Sequence, residues 1–285
     1  MSRRFRAGLV QMRTGTDSAR NIGEASRLID EACRQGAEFV VTPEMTNIIE
    51  SRRDVLLAKV AEEGQDALVN SLRELARDRR IHLLIGSAAL KSGDKLVNRS
   101  LLIAPDGSIA ARYDKIHMFD VDLDGGESYR ESRTYRPGET AAVADLPWGR
   151  LGLTICYDLR FPQLYRALAK AGADFISVPS AFTRQTGEAH WHTLLRARAI
   201  ETGCYVLAPA QGGAHESGRI TYGHSLIAGP WGEVVAEITG DEPGVVVADI
   251  DPEAVAAARR RIPSLEHDRA FRLAEPARTT AEVPA

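Results

Sequence analysis

Short apolar runs alternate with stretches of helical spacing from the start of the chain. "RAGLVQM" at 6–12 reads as a buried strand, and from Ser18 the residues Ile22, Ala25, Leu28, Ile29 and Ala32 recur at helical spacing up to Gly36. "EFVVTPE" follows as a second strand, and strand, helix, strand in that order is an α/β unit. A helix from about Gln65 to Arg79 leads into "IHLLIGSAAL". Next, "NRSLLIAPDGSIAARYDK" sets Asp106-Gly107 between two apolar runs, the signature of a hairpin. Residues 116–140 keep neither period and read as a long loop, which in a compact domain usually serves function.

The pattern then resumes. "AAVADLPWGRLGLTICYD" predicts a hairpin turning at Pro147-Trp148-Gly149, and "FPQLYRALAKAGA" a helix ending at Gly172. "DFISVPSAF" is a strand, "EAHWHTLLRARAIETG" a helix and "YVLAPAQ" a strand. "YGHSLIAG", "EVVAEI" and "GVVVADI" follow as three short strands, then a helix from Pro252 to about Arg261. No linker, low-complexity block or sequence repeat divides the chain, so residues 1–270 are expected to form a single mixed α/β domain. From residue 271 the tail loses its apolar period, and 271–285 is expected to be disordered or to lie on a partner subunit.

Composition narrows the class. With 285 residues, 44% of them hydrophobic and 26% charged, the chain can bury one substantial core. A net charge of -3 supplies no positive field for nucleic acid. No apolar run reaches membrane-spanning length, and the basic start "MSRRFR" is not followed by a signal-type apolar region. Cys33, Cys156 and Cys204 are too few for a disulfide framework and contain no CxxC pair, which points to reduced thiols in the cytoplasm.

Cys156 ends the apolar strand "LGLTIC" and precedes a helix. A strand end of this kind exposes a side chain at the mouth of a sheet, with backbone N–H groups free to face an oxyanion. Amide hydrolysis through a thiol also needs a base and a donor for the tetrahedral intermediate. Glu44 ends the strand of "FVVTPEMTN" and Lys115 that of "ARYDKIHMFD", so both can reach the same rim. Taken singly, each has a plain reading: a buried core thiol, a solvated turn carboxylate, a surface lysine.

The segments "VVTPEMTN", "RYDKIHMFDVD" and "GRLGLTICYDLRFPQLYRALAKAGAD" together resemble the Glu, Lys and Cys signatures of the nitrilase (carbon-nitrogen hydrolase) superfamily, in order and spacing. The likeness continues through "AFTRQTGEAHWHTLLRARAIETGCYVLAPAQGGAH", "YGHSLIAGPWGEVV" and "RIPSLEHDR". Within the superfamily it is nearest the deaminated glutathione amidases of the Nit branch. The resemblance implies a four-layer αββα sandwich, normally paired into a homodimer through helices near the nucleophile. It implies Glu44 as general base, Lys115 as stabiliser of the intermediate, Cys156 as acylated nucleophile, and Glu131 as a second glutamate that positions substrate and Lys115. The expected reaction cleaves a small linear amide to acid and ammonia, with no cofactor or metal. An ω-amidase or N-carbamoyl amidohydrolase is the alternative, and a non-catalytic binding protein on the same fold a more distant one. Tyr157, Arg160, Phe182 and Thr183 are the expected substrate contacts, with Arg184 and His215 as further candidates for holding a substrate carboxylate.

Three other patterns compete for notice. "DVDLDGGESYRE" at 120–131 matches a calcium-loop motif in full, but a strand precedes it and Pro137-Gly138 follows, where an EF-hand needs helices. His190 and His192 lie two apart on a helix, face different ways and are poorly set to share a metal. His117, two residues past Lys115, is placed either to orient that region or to pack and anchor its loop, and the cysteines Cys33 and Cys204 read as packing residues.

Overall fold

The computed structural model describes residues 4–123 and 126–274. In chain order, β1 (Phe5–Gln11) leads through α1 (Ser18–Arg34) to β2 (Phe39–Val41). Two helices, α2 (Arg53–Lys59) and α3 (Ala67–Arg79), precede β3 (His82–Ser92), β4 (Lys95–Ile103) and β5 (Ile109–Asp114). A small hairpin of β6 (Asp120–Asp122) and β7 (Ser128–Arg130) is followed by β8 (Ala142–Leu146) and β9 (Gly149–Leu153). Then come α4 (Pro162–Lys170), β10 (Phe175–Ser177), α5 (Arg184–Thr202) and β11 (Tyr205–Ala208). A second small hairpin, β12 (Gly212–Ala214) with β13 (Ile220–Tyr222), precedes β14 (Leu226–Ala228), β15 (Val234–Glu237), β16 (Gly244–Ile250) and α6 (Pro252–Arg261).

The long strands form two six-stranded sheets, ordered β16-β1-β2-β3-β4-β5 and β15-β14-β11-β10-β9-β8. Each has the same internal plan. β1, β2 and β3 run parallel with antiparallel neighbours on both sides, and β9, β10 and β11 do likewise. A helix bridges each parallel step, so the chain executes one topology twice although its sequence carries no visible repeat.

Strand periodicity explains the layering. Phe5, Ala7 and Leu9 on β1, Leu84 on β3 and Leu102 on β4 face one core, together with Leu151, Leu153 and Leu207 of the second sheet. The alternate residues Val10, Leu83, Ile85, Leu101 and Ile103 pack instead against Leu28, Ile29, Leu68 and Leu72 of α1 and α3. On the far side, Leu164 and Leu168 of α4 and Trp191 and Leu195 of α5 cover the second sheet. The result is an αββα sandwich. Removing a Leu side chain from such a core typically costs about 2–5 kcal/mol.

Local signals set the helix ends. Asp17 and Asp66 accept backbone N–H groups at the starts of α1 and α3, and Gly203 stops α5 in the left-handed region. The hairpins at Asp106-Gly107 and Pro147-Trp148 form as the turn residues predict. The sequence reading missed α2 and the β12–β13 hairpin, both too short for a visible period. It also took 116–140 as loop throughout, where β6 and β7 pair. Phe271 and Leu273 at the start of the tail are exposed. The rest of the tail expectation, on 275–285, lies outside the described residues.

Candidate active site

Glu44 is set by a bulge in β3, the strand next to β2. The β3–β4 register slips between Ile85 and Ala88, and at that slip Ser87 accepts the Met45 N–H on Oγ (2.9 Å) and the Thr46 N–H on its carbonyl (2.8 Å). Gly86 allows the approach, since a Cβ there would lie 1.9 Å from the Thr42 carbonyl oxygen. Lys115 leaves β5 with its N–H donating to the Asn98 carbonyl on β4 (2.9 Å). Cys156 leaves β9 in the left-handed region, at φ 48°, while its N–H donates to the Pro179 carbonyl (2.9 Å). A non-glycine residue held there is strained, and the surroundings hold it.

Much of that restraint comes from Asp158, which is fully buried. Its carboxylate accepts from the Ile155 N–H (2.8 Å), the Tyr113 hydroxyl (2.7 Å) and the His117 N–H (3.1 Å), and lies 2.7 Å from His117 Nδ1. One side chain thus ties the turn carrying Cys156 to the strand end carrying Lys115.

The three strand ends meet. The Lys115 ammonium donates to Glu44 Oε1 (2.9 Å) and to both oxygens of Glu131 (3.1 and 2.9 Å). Asn98 Nδ2 bridges the same two carboxylates, at 2.9 Å from Glu44 and 3.2 Å from Glu131. Glu44 Oε2 accepts the Ala181 N–H at 3.0 Å, and Glu44, Lys115 and Cys156 line the same cavity. Glu131 also accepts the Phe119 N–H at 2.7 Å, which fastens the β6–β7 hairpin to the site. Glu44, Lys115 and Cys156 are 3%, 2% and 5% exposed, so the charges interact in a dry environment.

That environment sorts the protons. Burial pushes the Cys156 thiol well above its ordinary value, aided by the Glu44 charge and opposed by Lys115. Burial also works against an ionised Glu44, but the charges of Lys115 and Arg219 and the hydrogen bonds from Lys115 and Cys156 outweigh it and hold the carboxyl low. Burial disfavours the Lys115 charge too, yet Glu131 and Glu44 raise its affinity for the proton well above normal. The resting set is therefore thiol, carboxylate and ammonium, with Glu44 poised to accept the thiol proton.

These groups open onto a cavity of about 540 Å³. Tyr157, Arg160 and Phe182 line it, with the Arg160 guanidinium 5.4 Å from the Phe182 ring centroid and 6.0 Å from that of Tyr157. Thr183 is not a lining residue, because its hydroxyl is turned to cap α5 through the Thr186 N–H. Arg184 pairs with Asp241 (2.7 Å), and neither it nor His215 reaches the cavity. His215 lies between the Thr14 carbonyl and the Thr221 hydroxyl, and burial, with Arg219 and Arg13, pulls it down to about 4. Arg219, missed in the sequence, lines the cavity beside Tyr129, with its Nη2 on the Ala181 carbonyl (2.5 Å) and its buried Nε without a protein partner. Asn98, also missed, had a signal: an isolated amide inside the apolar run "LVNRSLLI".

Among the described members of the calcium-loop pattern, Asp122 pairs with Arg130 (2.7 Å), Asp120 accepts the Ser132 N–H (3.0 Å) and Glu131 holds Lys115. Asp124 and Gly125 lie outside the described residues. His190 faces Arg160 (3.3 Å) and His192 faces Glu237, so the two do diverge. Cys204 is buried against the Ala173 carbonyl and Arg259.

A family model described as carbon-nitrogen hydrolase matches residues 6–260. The chain belongs to the carbon-nitrogen hydrolase family. Among curated relatives of this hydrolase, a deaminated glutathione amidase of Synechocystis is 41% identical over 269 residues, 92% of this chain and 97% of that protein. The human omega-amidase NIT2 is 35% identical, over 93% and 95% of the two chains. Saccharomyces cerevisiae Nit3, of the nitrilase superfamily, superposes with a TM-score of 0.83 at 31% identity, covering 92% of this chain and 96% of that one. An amidase mutant from Nesterenkonia, solved with the acetamide moiety of fluoroacetamide on its active-site cysteine, gives 0.76 at 28%, over 90% and 94%. The carbon-nitrogen hydrolase described here is thus an enzyme that cleaves an amide C–N bond.

Proposed function

We propose that this hydrolase acts through a Cys156 thioester on a short linear amide bearing an acidic group, of the deaminated glutathione type. The supporting observation is the meeting of one thiol, one carboxylate and one ammonium, delivered by three separate strand ends, at the floor of an open cavity. In the first step Glu44 takes the proton from sulfur as sulfur bonds to the amide carbon. The developing oxyanion is held by the Lys115 ammonium and the Tyr157 N–H. Collapse of this intermediate breaks the C–N bond, and Glu44 returns its proton to the leaving ammonia or amine. Glu44 then deprotonates a water that attacks the thioester, releasing the acid and restoring the thiol.

Charge arithmetic favours this route over a free thiolate. Glu44, Glu131, Lys115 and the Cys156 thiol together carry one negative charge, and moving the thiol proton to Glu44 leaves that total unchanged. Losing it to solvent would add a second negative charge to a buried cluster, at a cost of several kcal/mol. Glu131 keeps Lys115 charged and aimed. Arg160 and Arg219 anchor the substrate's acidic group, and Phe182 and Tyr157 pack its chain. The higher identity to a deaminated glutathione amidase than to an omega-amidase favours that substrate.

The same reading makes residues 1–270 one domain. Exposed Ile200, Trp231 and Ile262 rim a hollow beside α6, and an exposed apolar patch of this kind supports a homodimer in which a second copy covers it. The three unpaired cysteines fit the cytoplasm.

The test offers deaminated glutathione, α-ketoglutaramate and N-carbamoyl amino acids to wild type and to Cys156→Ala, with intact-protein mass spectrometry. An acyl adduct on wild type, and loss of adduct and turnover in a folded variant, is the expected result. Turnover by the variant would overturn the thioester, and no adduct with any of the three would overturn the substrate class.

A further inference from the structure

Behind the catalytic cavity, where α5 packs on the second sheet, two imidazoles and a carboxylate converge. His192 Nε2 lies 2.8 Å from Glu237 Oε1, and His224 Nδ1 lies 3.0 Å from the same oxygen. One donor atom from each of the three residues lies within 4.8 Å of the other two. They come from three different segments: His192 from the middle of α5, His224 from the turn before β14, and Glu237 from the end of β15. None of the three lines the catalytic cavity.

The constellation is built on rigid parts. Trp191, next to His192 and buried, donates its indole N–H to the His224 carbonyl (2.8 Å), which locks the helix to the turn. His224 sits in the left-handed region at φ 56°, and its N–H donates to the Gly240 carbonyl (2.9 Å). The Tyr222 ring stacks on the His224 ring at 4.2 Å between centroids and fixes its plane. Glu237 is placed by the β14–β15 register, opposite Leu226. The three side chains are 21–35% exposed, so a cation could reach them and keep water on its open positions.

We propose that His192, His224 and Glu237 form a second, non-catalytic site for one divalent transition-metal cation of the zinc class. Two neutral imidazole nitrogens and one carboxylate oxygen match zinc's ligand chemistry and leave a fourth position for water. A tetrahedral ion with bonds of about 2.0–2.1 Å sets its ligand atoms roughly 3.3 Å apart. The observed spacings of 2.8 and 3.0 Å need to open by only about half an ångström, within the reach of a glutamate rotamer. Each imidazole would carry its proton on the nitrogen away from the ion. The bound ion would clasp α5 to the β14–β15 edge, a structural role separate from amide cleavage.

The experiment titrates Zn²⁺, and Co²⁺ as a spectroscopic probe, into metal-free full-length Cys156→Ala protein, which removes the catalytic thiol as a competing ligand. Affinity is read by calorimetry, coordination by the cobalt spectrum and stability by thermal melts. One Zn²⁺ per chain, a tetrahedral cobalt spectrum without thiolate charge transfer, and a metal-dependent rise in melting temperature are expected. His192→Ala and Glu237→Gln on that background should each weaken Zn²⁺ by about tenfold or more. His224→Asn, chosen because Asn accepts the left-handed backbone, should do the same while its metal-free melt stays near the parent's. Absence of stoichiometric binding, or equal Zn²⁺ affinity in parent and all three variants, would overturn the site and leave a plain histidine-carboxylate hydrogen-bond cluster.

Discussion

Lys115→Met removes the one cation between two buried carboxylates and keeps most of the side-chain volume. Glu44 and Glu131 then share only Asn98, whose Nδ2 reaches both. Breaking a buried ion pair from one side typically costs about 3–5 kcal/mol. The wild-type sign comes from a depressed Glu44 pKa: its contribution to stability is present above the unfolded carboxylate value and lost as pH falls through the folded one. Without Lys115 the neutral Asn98 and Ala181 donors and the Arg219 charge are outweighed by burial and by repulsion between the two carboxylates, so one carboxyl rises above its unfolded value near 4.3 and the sign reverses. The variant should therefore gain stability relative to wild type as pH falls from 7.5 toward 5, by up to about 1.4 kcal/mol per pH unit for a one-proton difference. Urea unfolding at a series of pH values measures this, and amidase assays should show a loss of about 10³-fold or more as the oxyanion donor disappears. A destabilisation under about 1 kcal/mol, or a pH-independent one, would refute the charge accounting on which the mechanism rests.

Other consequences follow from the same geometry. The acid limb of kcat/KM should lie below the ordinary carboxylate range near 4.3, because Lys115 holds Glu44 low; a limb at 6 or above, in a pH-rate profile, would contradict Glu44 as base. Gly86→Ala would drive a Cβ into the Thr42 and Pro43 carbonyl oxygens at 1.9 and 2.6 Å, costing about 3 kcal/mol or more in denaturant unfolding. Arg219→Met should lower kcat/KM for acidic amides by about 10–100-fold, the value of a charged hydrogen bond, while an uncharged short amide such as propionamide loses far less; equal losses for both would remove Arg219 from substrate binding.

How much of this was legible depended on the length scale of each signal. The long strands and helices carried their own periods, and Glu44, Lys115 and Cys156 sat at strand ends that the resemblance brought into one group. Asn98 was hidden inside a strand, where one amide among apolar residues looks like a solvated position until the facing carboxylates are known. Arg219 sits on a hairpin loop whose strands span three residues each, too few to show alternation. Thr183 follows a strand end facing the rim and also begins a helix, a second role for its hydroxyl that the strand pattern alone does not show. His192 was weighed only against its helical neighbour, whereas its partners His224 and Glu237 are 32 and 45 positions further on, beyond any local pattern.

The twofold topology has a practical consequence. Glu44, Lys115 and Glu131 come from the first run of the plan and Cys156 from the second, with exposed residues 139–141 between them. Neither run alone owns both an acceptor for the proton and a sulfur to give it up. Fragments divided at that junction would be inert apart, and turnover would return only as they reassociate, with β16 of the second fragment pairing along β1 of the first to clasp them. Their catalytic rate would then report complementation directly.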